Sequence, residues 1–493
     1  MTSRARWIGL LFISIAVSLI IVDSTIVNVA IPSIVDDLGI NSTQVQWVQT
    51  SYTLVFAALL IPFGTLADRI GRRRLLIVGV AVFTAASILA GLSPDGAWLI
   101  AARIAQGVGG AMVLPATMSL INATFRGKDR AIAFAIWGST IGGMAAVGPL
   151  LGGWLTTDFS WRWAFGVNVP FGIAVIIGVL FTVVESSADS RERFDLVGAG
   201  LSVLASGFLV FGLIEGRTLG WWMPDDSIAG SWPLPISPIP LAFAIAVIAG
   251  VALVMSERAR ARSGRTTMLP LDLFRIPSFR GGSIVAMLVS LGELGLLFVI
   301  PLWLQNVLRY SALQAGWMLL ALAVGSFLAS GAVSGLSRRM SPIAILRLGV
   351  GLELAALLVL GLTLRTDLGW LPLAGILFVY GLGIGLASAQ VTNVVLADVP
   401  VASSGRASGT QSTARQVGSA LGVATLGTLL FASLDLQLEQ RLADLPDAQR
   451  EPIIRAVSDS AGAAIPALSD NPATAHIGAL AAEALTSAAT TAA

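Results

Sequence analysis

Long apolar runs separated by short polar stretches dominate this chain. A helix of about 20 apolar residues spans a hydrocarbon core of roughly 30 Å. Runs of that length fall near residues 8–33, 44–67, 75–92, 97–121, 131–155, 162–184 and 196–215. After a Trp- and Pro-rich interruption they resume at 239–256, 282–305, 312–336, 343–364, 370–397 and 406–434. The pattern predicts an all-α polytopic membrane protein with thirteen spans. The first run is too long, and too polar in its second half, for a cleaved signal peptide. Residues 435–474 are polar, with short amphipathic stretches at 436–445 and 453–457. Residues 475–493 are alanine-rich, with only Ile477, Leu480 and Leu485 as large aliphatics. That is too weak to predict a fourteenth span. The expectation is a sequence shortened relative to its gene or a poorly docked last helix, with the C-terminus outside.

Composition narrows the function. The 493 residues are 55% hydrophobic and 12% charged, against roughly 25% charged in a soluble protein. A water-soluble enzyme and a disordered chain are both excluded. With no cysteine, no disulfide, zinc-thiolate site or thiol nucleophile can form. The single histidine is His476 and the single lysine Lys128, whose surroundings lack the glycine and Ser/Thr of a phosphate-binding loop. No ATP-hydrolysing module is recognisable, and no enzymatic activity, cofactor or metal is expected. A net charge of +2 comes from loop arginines and gives no support to nucleic-acid binding.

Those arginines orient the chain. With the N-terminus cytoplasmic, Arg4 and Arg6, Arg69 with Arg72, Arg73 and Arg74, Arg126 with Lys128 and Arg130, Arg191 with Arg193, the set from Arg258 to Arg280, Arg338 with Arg339, and Arg406 all lie inside. They outnumber the outer set of Arg162, Arg217, Arg309, Arg365, Arg441, Arg450 and Arg455. Tryptophans favour the headgroup level, and most, such as Trp47, Trp98, Trp161 and Trp370, fall at the outer ends. Both signals place the N-terminus on the cytoplasmic side, and the membrane is expected to be the cell's inner (cytoplasmic) one.

Between the second and third runs the chain reads Gly64-Thr65-Leu66-Ala67-Asp68-Arg69-Ile70-Gly71-Arg72-Arg73-Arg74. A positive-inside loop would explain the arginines, but not Gly64 and Asp68 at that spacing. The first run carries Asp23-Ser24-Thr25-Ile26-Val27-Asn28-Val29-Ala30-Ile31-Pro32. The fourth carries Arg103, Gln106, Gly107 and Gly109, and the fifth Gly148-Pro149-Leu150-Leu151-Gly152-Gly153. Trp161-Arg162-Trp163-Ala164-Phe165 with Asn168-Val169-Pro170, and Arg415-Gln416-Val417-Gly418, complete the set. In this order the motifs resemble those of the major facilitator superfamily, and within it the 14-helix drug:proton antiporter family. One departure is Met144 where that family usually has glycine, with Gly142 and Gly143 displaced beside it. A degenerate second signature loop, Gly335-Leu336-Ser337-Arg338-Arg339-Met340, lacks the aspartate.

The resemblance implies two six-helix halves with two linking helices between them. It divides the chain into an N-terminal bundle at 1–185, linking helices and cytoplasmic loop at 186–280, a C-terminal bundle at 281–434, and an extracytoplasmic loop with an incomplete last helix at 435–493. It further implies a monomeric, proton-coupled exporter of hydrophobic, often cationic, small molecules. A dedicated exporter of one endogenous metabolite, such as an antibiotic, siderophore or lipid, is the alternative. A non-transporting receptor of the same fold is a third reading, against which the intact motifs argue.

Charged groups at membrane depth cost at least about 2.5–3.5 kcal/mol and are functional candidates. At 1.5 Å per residue, Asp23 lies about 22 Å from the inner end of its run and Arg103 about 9 Å below the outer end of its own. The two share one level. Burial disfavours a carboxylate and a nearby arginine favours it, so alternating exposure changes its affinity for a proton. Asp23 and Arg103 are therefore the candidate proton-coupling pair, with a static structural pair as the bland alternative. Glu293 lies about 17 Å into its run by the same rise, in a helix that the resemblance makes cavity-lining. With Asn28 and Gln106 it is assigned to the substrate cavity, the alternative being a buried protonated glutamate satisfied by a backbone group. Glu353, Arg347 and Arg415 read as structural, packing or gate residues. Gly64, Asp68, Arg69, Gly71 and Arg72 form the candidate gate, in which Asp68 is expected to face the positive end of the thirteenth helix. Gly148, Pro149, Gly152 and Gly153 form a bend and close-contact surface.

Overall fold

The computed structural model describes residues 3–187, 194–225, 228, 232–265, 267–460 and 462–492. Arg191 and Arg193 fall outside these, as does the local environment of Gly142. The first seven helices are α1 (Ser3–Leu38), α2 (Ser42–Ile70), α3 (Arg72–Gly91), α4 (Gly96–Thr124), α5 (Gly127–Asp158), the single turn α6 (Trp163–Gly166) and α7 (Asn168–Thr182). Then come α8 (Leu196–Glu215) and α9 (Pro238–Arg262). The remainder holds α10 (Pro277–Asn306), α11 (Ala312–Leu336), α12 (Pro342–Thr363), α13 (Trp370–Val395), α14 (Ser404–Arg441), α15 (Asp447–Asp459), α16 (Ala464–Asp470) and α17 (Ala475–Ala492). Among the described residues twelve helices are long and apolar enough to cross a membrane. The 32-residue α5, about 48 Å long, is a further helix of spanning length.

Local chemistry sets the reversals. Asn41 and Gln44 form a capping box at the start of α2, as Ser311 and Gln314 do for α11. Asp95 caps α4 by accepting the Trp98 N–H at 2.8 Å. Each cap satisfies N–H groups that a helix leaves unpaired at its start. Between α2 and α3 the chain turns on one residue, Gly71, at φ +108°, a conformation that glycine adopts without penalty.

Apolar helices gain little from the hydrophobic effect inside lipid, so close packing of small residues holds them together. Gly79 and Gly109 bring α3 against α4, and Gly418 and Gly422 bring α14 against the backbone of α10 at Met287 and Leu291. α13 is wedged between α11 and α12, where Gly381 and Gly385 meet the Leu322 and Ser326 carbonyls and Gly349 meets the Ala387 backbone. The outer surface stays apolar and open, with Phe181 and Leu362 more than four-fifths exposed. That is the pattern of a chain solvated by lipid.

Successive spans run antiparallel and define two faces. The near face carries Ser3, the α2–α3 turn and the start of α14; the far face carries the α1–α2 turn and α15–α17. Ala475–Ala492 is not among the twelve helices apolar enough to cross a membrane, as the sequence leads one to expect, but it is not poorly docked. Ala475–Ala492 is an 18-residue helix, with Ala481, Ala484, Leu485, Ala488 and Ala489 fully buried. Its small side chains let it lie close against the far-face ends of α10, α12 and α14. Thr486 accepts from Trp303 Nε1 at 3.0 Å, and Arg441 pairs with Glu483 at 2.5 Å. The Thr486 and Thr490 hydroxyls return to carbonyls one turn earlier. Hydropathy scored this segment as weak because alanine packs well while contributing little apolar area.

Candidate functional site: buried carboxylates and a near-face gate

Asp23 on α1 is completely buried. Arg103 on α4 donates from NH1 to its Oδ2 at 2.5 Å. Gln106 and Asn168 each donate from their side-chain amides to Oδ1 at 2.9 Å. Both amides also reach the Ser87 hydroxyl, at 2.8 and 3.2 Å. Arg103 is held in turn by the Val48 carbonyl at 3.1 Å and the Gln106 Oε1 at 2.9 Å, with its guanidinium 4.2 Å from the Tyr52 ring centroid. Helices α1, α2, α3, α4 and α7 thus converge on one carboxylate. Charged groups out of water persist only when paired and hydrogen-bonded, and both oxygens of Asp23 and the Nε and NH1 of Arg103 have partners. Gln106 lies inside the network rather than on a cavity wall. Asn28, one turn beyond Asp23, is exposed and accepts from Gln49 Nε2 at 3.2 Å.

A second carboxylate cluster lies in the other half. Glu293 on α10 accepts from the Ser388 hydroxyl of α13 at 2.6 Å and lies 3.8 Å from Arg415 NH2 of α14. Glu353 on α12 is buried too, against Gly383 of α13, where an added Cβ would stand 2.7 Å from its Cγ. Trp303 is buried beneath α17, away from Glu293 along the same helix. Sequence reasoning missed Asn168 and Ser87, which carry no charge, and set Glu353 aside because α12 is peripheral. The signal for Glu353 was its position about 17 Å into its helix by the helical rise.

The near-face loop is assembled around Asp68. Its Oδ1 accepts from Arg72 NH2 at 2.7 Å and Nε at 3.2 Å, and from the Gly405 N–H at 2.7 Å; its Oδ2 accepts the Arg406 N–H at 2.9 Å. The carboxylate therefore caps the first turn of α14, where free N–H groups and the helix dipole favour a negative charge. Arg72, itself buried, also donates to the Val401 carbonyl. Gly64 lets α2 touch α14, since a Cβ there would lie 2.9 Å from Gly409 Cα. Gly71 makes room for Glu185, whose carboxylate accepts the Arg73 and Arg74 N–H groups at 3.1 and 3.0 Å and caps α3. Arg69 sits in the last turn of α2, the end that attracts a cation. Asn122 with Ser404 at 2.7 Å, and Arg130 with Asn393 at 3.1 Å, close the same face.

On α5, Gly148 and Gly152 face α1. A Cβ at Gly148 would overlap Thr25, and one at Gly152 would stand 3.0 Å from the Ile26 carbonyl. Gly153 meets nothing within 4 Å, and Pro149 lies within the helix. At the far face Asp37 accepts from Trp161 Nε1 at 3.0 Å and from Arg162. The Arg162 hydrogen bond, with that of Trp161, holds the Asp37 carboxyl below its ordinary range.

Membrane-length helices around buried ion pairs, with a lipid-facing outer surface, define a multi-pass membrane protein. Residues 13–423 match the Major Facilitator Superfamily, and the chain belongs to that family. It is 35% identical over 454 residues to the probable actinorhodin transporter of Streptomyces coelicolor, covering 89% of this chain and 75% of the relative. It is 32% identical to the multidrug efflux pump LfrA of Mycolicibacterium smegmatis, covering 96% and 89%. With the tetracenomycin C resistance and export protein of Streptomyces glaucescens it shares 34%, over 86% and 76%. The human organic anion transporter MFSD10 has the same fold, with a TM-score of 0.61 at 14% identity over 87% of this chain and 94% of that one.

Proposed function

We propose that the chain is a proton-coupled antiporter that exports hydrophobic, often cationic, small molecules by alternating access. The observation that carries this reading is the buried Asp23 with its Arg103, Gln106 and Asn168 partners. A carboxylate so placed can exchange a proton only when its partners separate or water reaches it, which ties protonation to conformation. Asp68 on the first turn of α14 supplies the near-face lock, which must break for that face to open. Export uphill needs an energy source, and the sequence has no recognisable nucleotide site, so the proton gradient drives it. The basic residues on the near face support a cytoplasmic N-terminus in the bacterial inner membrane. The similarity to the probable actinorhodin transporter and to the tetracenomycin C resistance and export protein supports a second reading, a dedicated exporter of one endogenous product. Inverted vesicles containing the chain should take up a cationic dye when an inside-acid pH gradient is imposed, and lose that uptake when a protonophore collapses it. Uptake indifferent to the gradient contradicts proton coupling. A panel of unrelated dyes, antiseptics and antibiotics separates the two readings, a single protected compound favouring the dedicated exporter.

A further inference from the structure

Glu353 makes no hydrogen bond or ion pair among the described residues, and its Oε1 is fully enclosed without a partner. The hydroxyl of Tyr380 on α13 is likewise enclosed and unpartnered, and would stand 4.0 Å from a Cβ at Gly292, the neighbour of Glu293. Gly383, against which the Glu353 side chain packs, lies one turn beyond Tyr380 on α13, and Ser388 of the same helix holds Glu293, so α13 gathers the three groups. Among the described residues the cation at this cluster is Arg415, which lies beside Glu293. Arg347, on the same helix as Glu353, is six residues away and cannot share its face. The charge count follows. Two carboxylates beside a single guanidinium cannot both remain ionised out of water. An enclosed carboxylate oxygen with no donor is the costlier of the two to charge, whereas Glu293 has both Arg415 and the Ser388 hydroxyl.

We propose that Glu353, Tyr380 and Glu293 form a second proton-binding site, in the half of the protein that lacks Asp23, with Glu353 as the group that carries the proton. In this state Glu353 is the neutral acid and Glu293–Arg415 the ion pair, so the cluster has no net charge. Glu353 can lose its proton only when the cluster opens to water on one face, which ties its protonation to conformation. The site extends the antiporter reading, because a second titrating group gives the C-terminal half its own response to the gradient.

Infrared spectroscopy of the full chain in lipid tests the site without reference to transport. At neutral pH the wild type should show the carbonyl-stretch band of a protonated carboxylic acid. Asp23→Asn should retain the band and Glu353→Gln should lose it. A band that persists undiminished in Glu353→Gln, or is absent from the wild type, overturns the proposal. Should Glu353→Gln fail to fold, Glu353→Asp carries the test: the band should persist at a displaced frequency, and an undisplaced band assigns it to another residue and overturns the proposal. In proteoliposomes Glu353→Gln should lower gradient-driven dye export about tenfold while leaving downhill dye exchange unchanged. Unchanged driven export removes the coupling role. If the wild type itself ignores the gradient, the antiporter reading fails, and the infrared band still decides whether the site exists.

Discussion

Asp68 accepts the backbone N–H of Gly405, 337 residues away in sequence, at 2.7 Å. One carboxylate thereby joins the signature loop of α2 to the first turn of α14. It is also paired with Arg72, so one acceptor holds the loop and the first turn of α14 together.

The first prediction concerns this lock. Removing one partner of a buried ion pair costs about 3–5 kcal/mol, and loss of an anion at a helix start adds about 0.3–1 kcal/mol. Asp68→Ala should shift the chain toward near-face opening. Because the chain has no cysteine, a cysteine at Ser408, enclosed beside the lock, reports this without background. Its maleimide labelling should accelerate at least about tenfold when Asp68 is removed. Unchanged labelling would show that the cap does not hold the near face shut.

The glycines of the fifth span should separate into two kinds. Overpacking a close contact costs about 1–3 kcal/mol. Gly148→Ala, whose new methyl meets Thr25 and lies 2.9 Å from its Cβ, should lower the melting temperature of the solubilised protein. Gly153→Ala, with nothing within 4 Å, should leave it unchanged. Equal effects would mean that the motif acts through helix flexibility rather than contact with α1.

Glu293 and Arg415 should behave as a unit. Glu293→Gln is expected to lower the melting temperature of the solubilised protein, since a buried ion pair that loses one partner is destabilised by about 3–5 kcal/mol. It also strands Arg415, so the double variant Glu293→Gln with Arg415→Gln should be more thermostable than Glu293→Gln alone. Additive losses of stability would show that the two side chains, 3.8 Å apart, are energetically independent.

At the far face, Asp37 should make stability depend on acid. Arg162 and Trp161 hold its carboxyl below its ordinary value. A depressed folded-state value means that stability is present above the unfolded value, about 3.9, and is lost as pH falls through the folded one. Asp37→Asn should therefore flatten the melting temperature below about pH 4. An identical acid dependence in the variant would assign it to other carboxylates.

Much of this arrangement was legible in the sequence because membrane depth is a linear quantity. Counting residues put Asp23 and Arg103 at one level, and the structure has them in contact. Rotation about each helix axis is not linear in that way, and it hid the rest. Asn168 and Ser87 complete the Asp23 shell, yet neither is charged, so neither draws notice in an apolar run. Glu353 was set aside because α12 lies at the edge of the bundle, although its side chain turns inward toward Gly383. Gln106, assigned to the cavity, is fully enclosed with Asp23 instead. The docking of the last helix was not legible because hydropathy counts apolar atoms, whereas α17 packs through close alanine contacts and the Trp303–Thr486 hydrogen bond.

The measurement that bears most directly on the central claim compares wild type and Asp23→Asn in one vesicle preparation. Dye flux is recorded with an imposed pH gradient and again with a dye gradient alone. If Asp23 couples proton to substrate, the variant should fold, carry dye downhill, and lose accumulation against a gradient entirely. Uphill, gradient-driven export by Asp23→Asn at the wild-type rate would contradict the account.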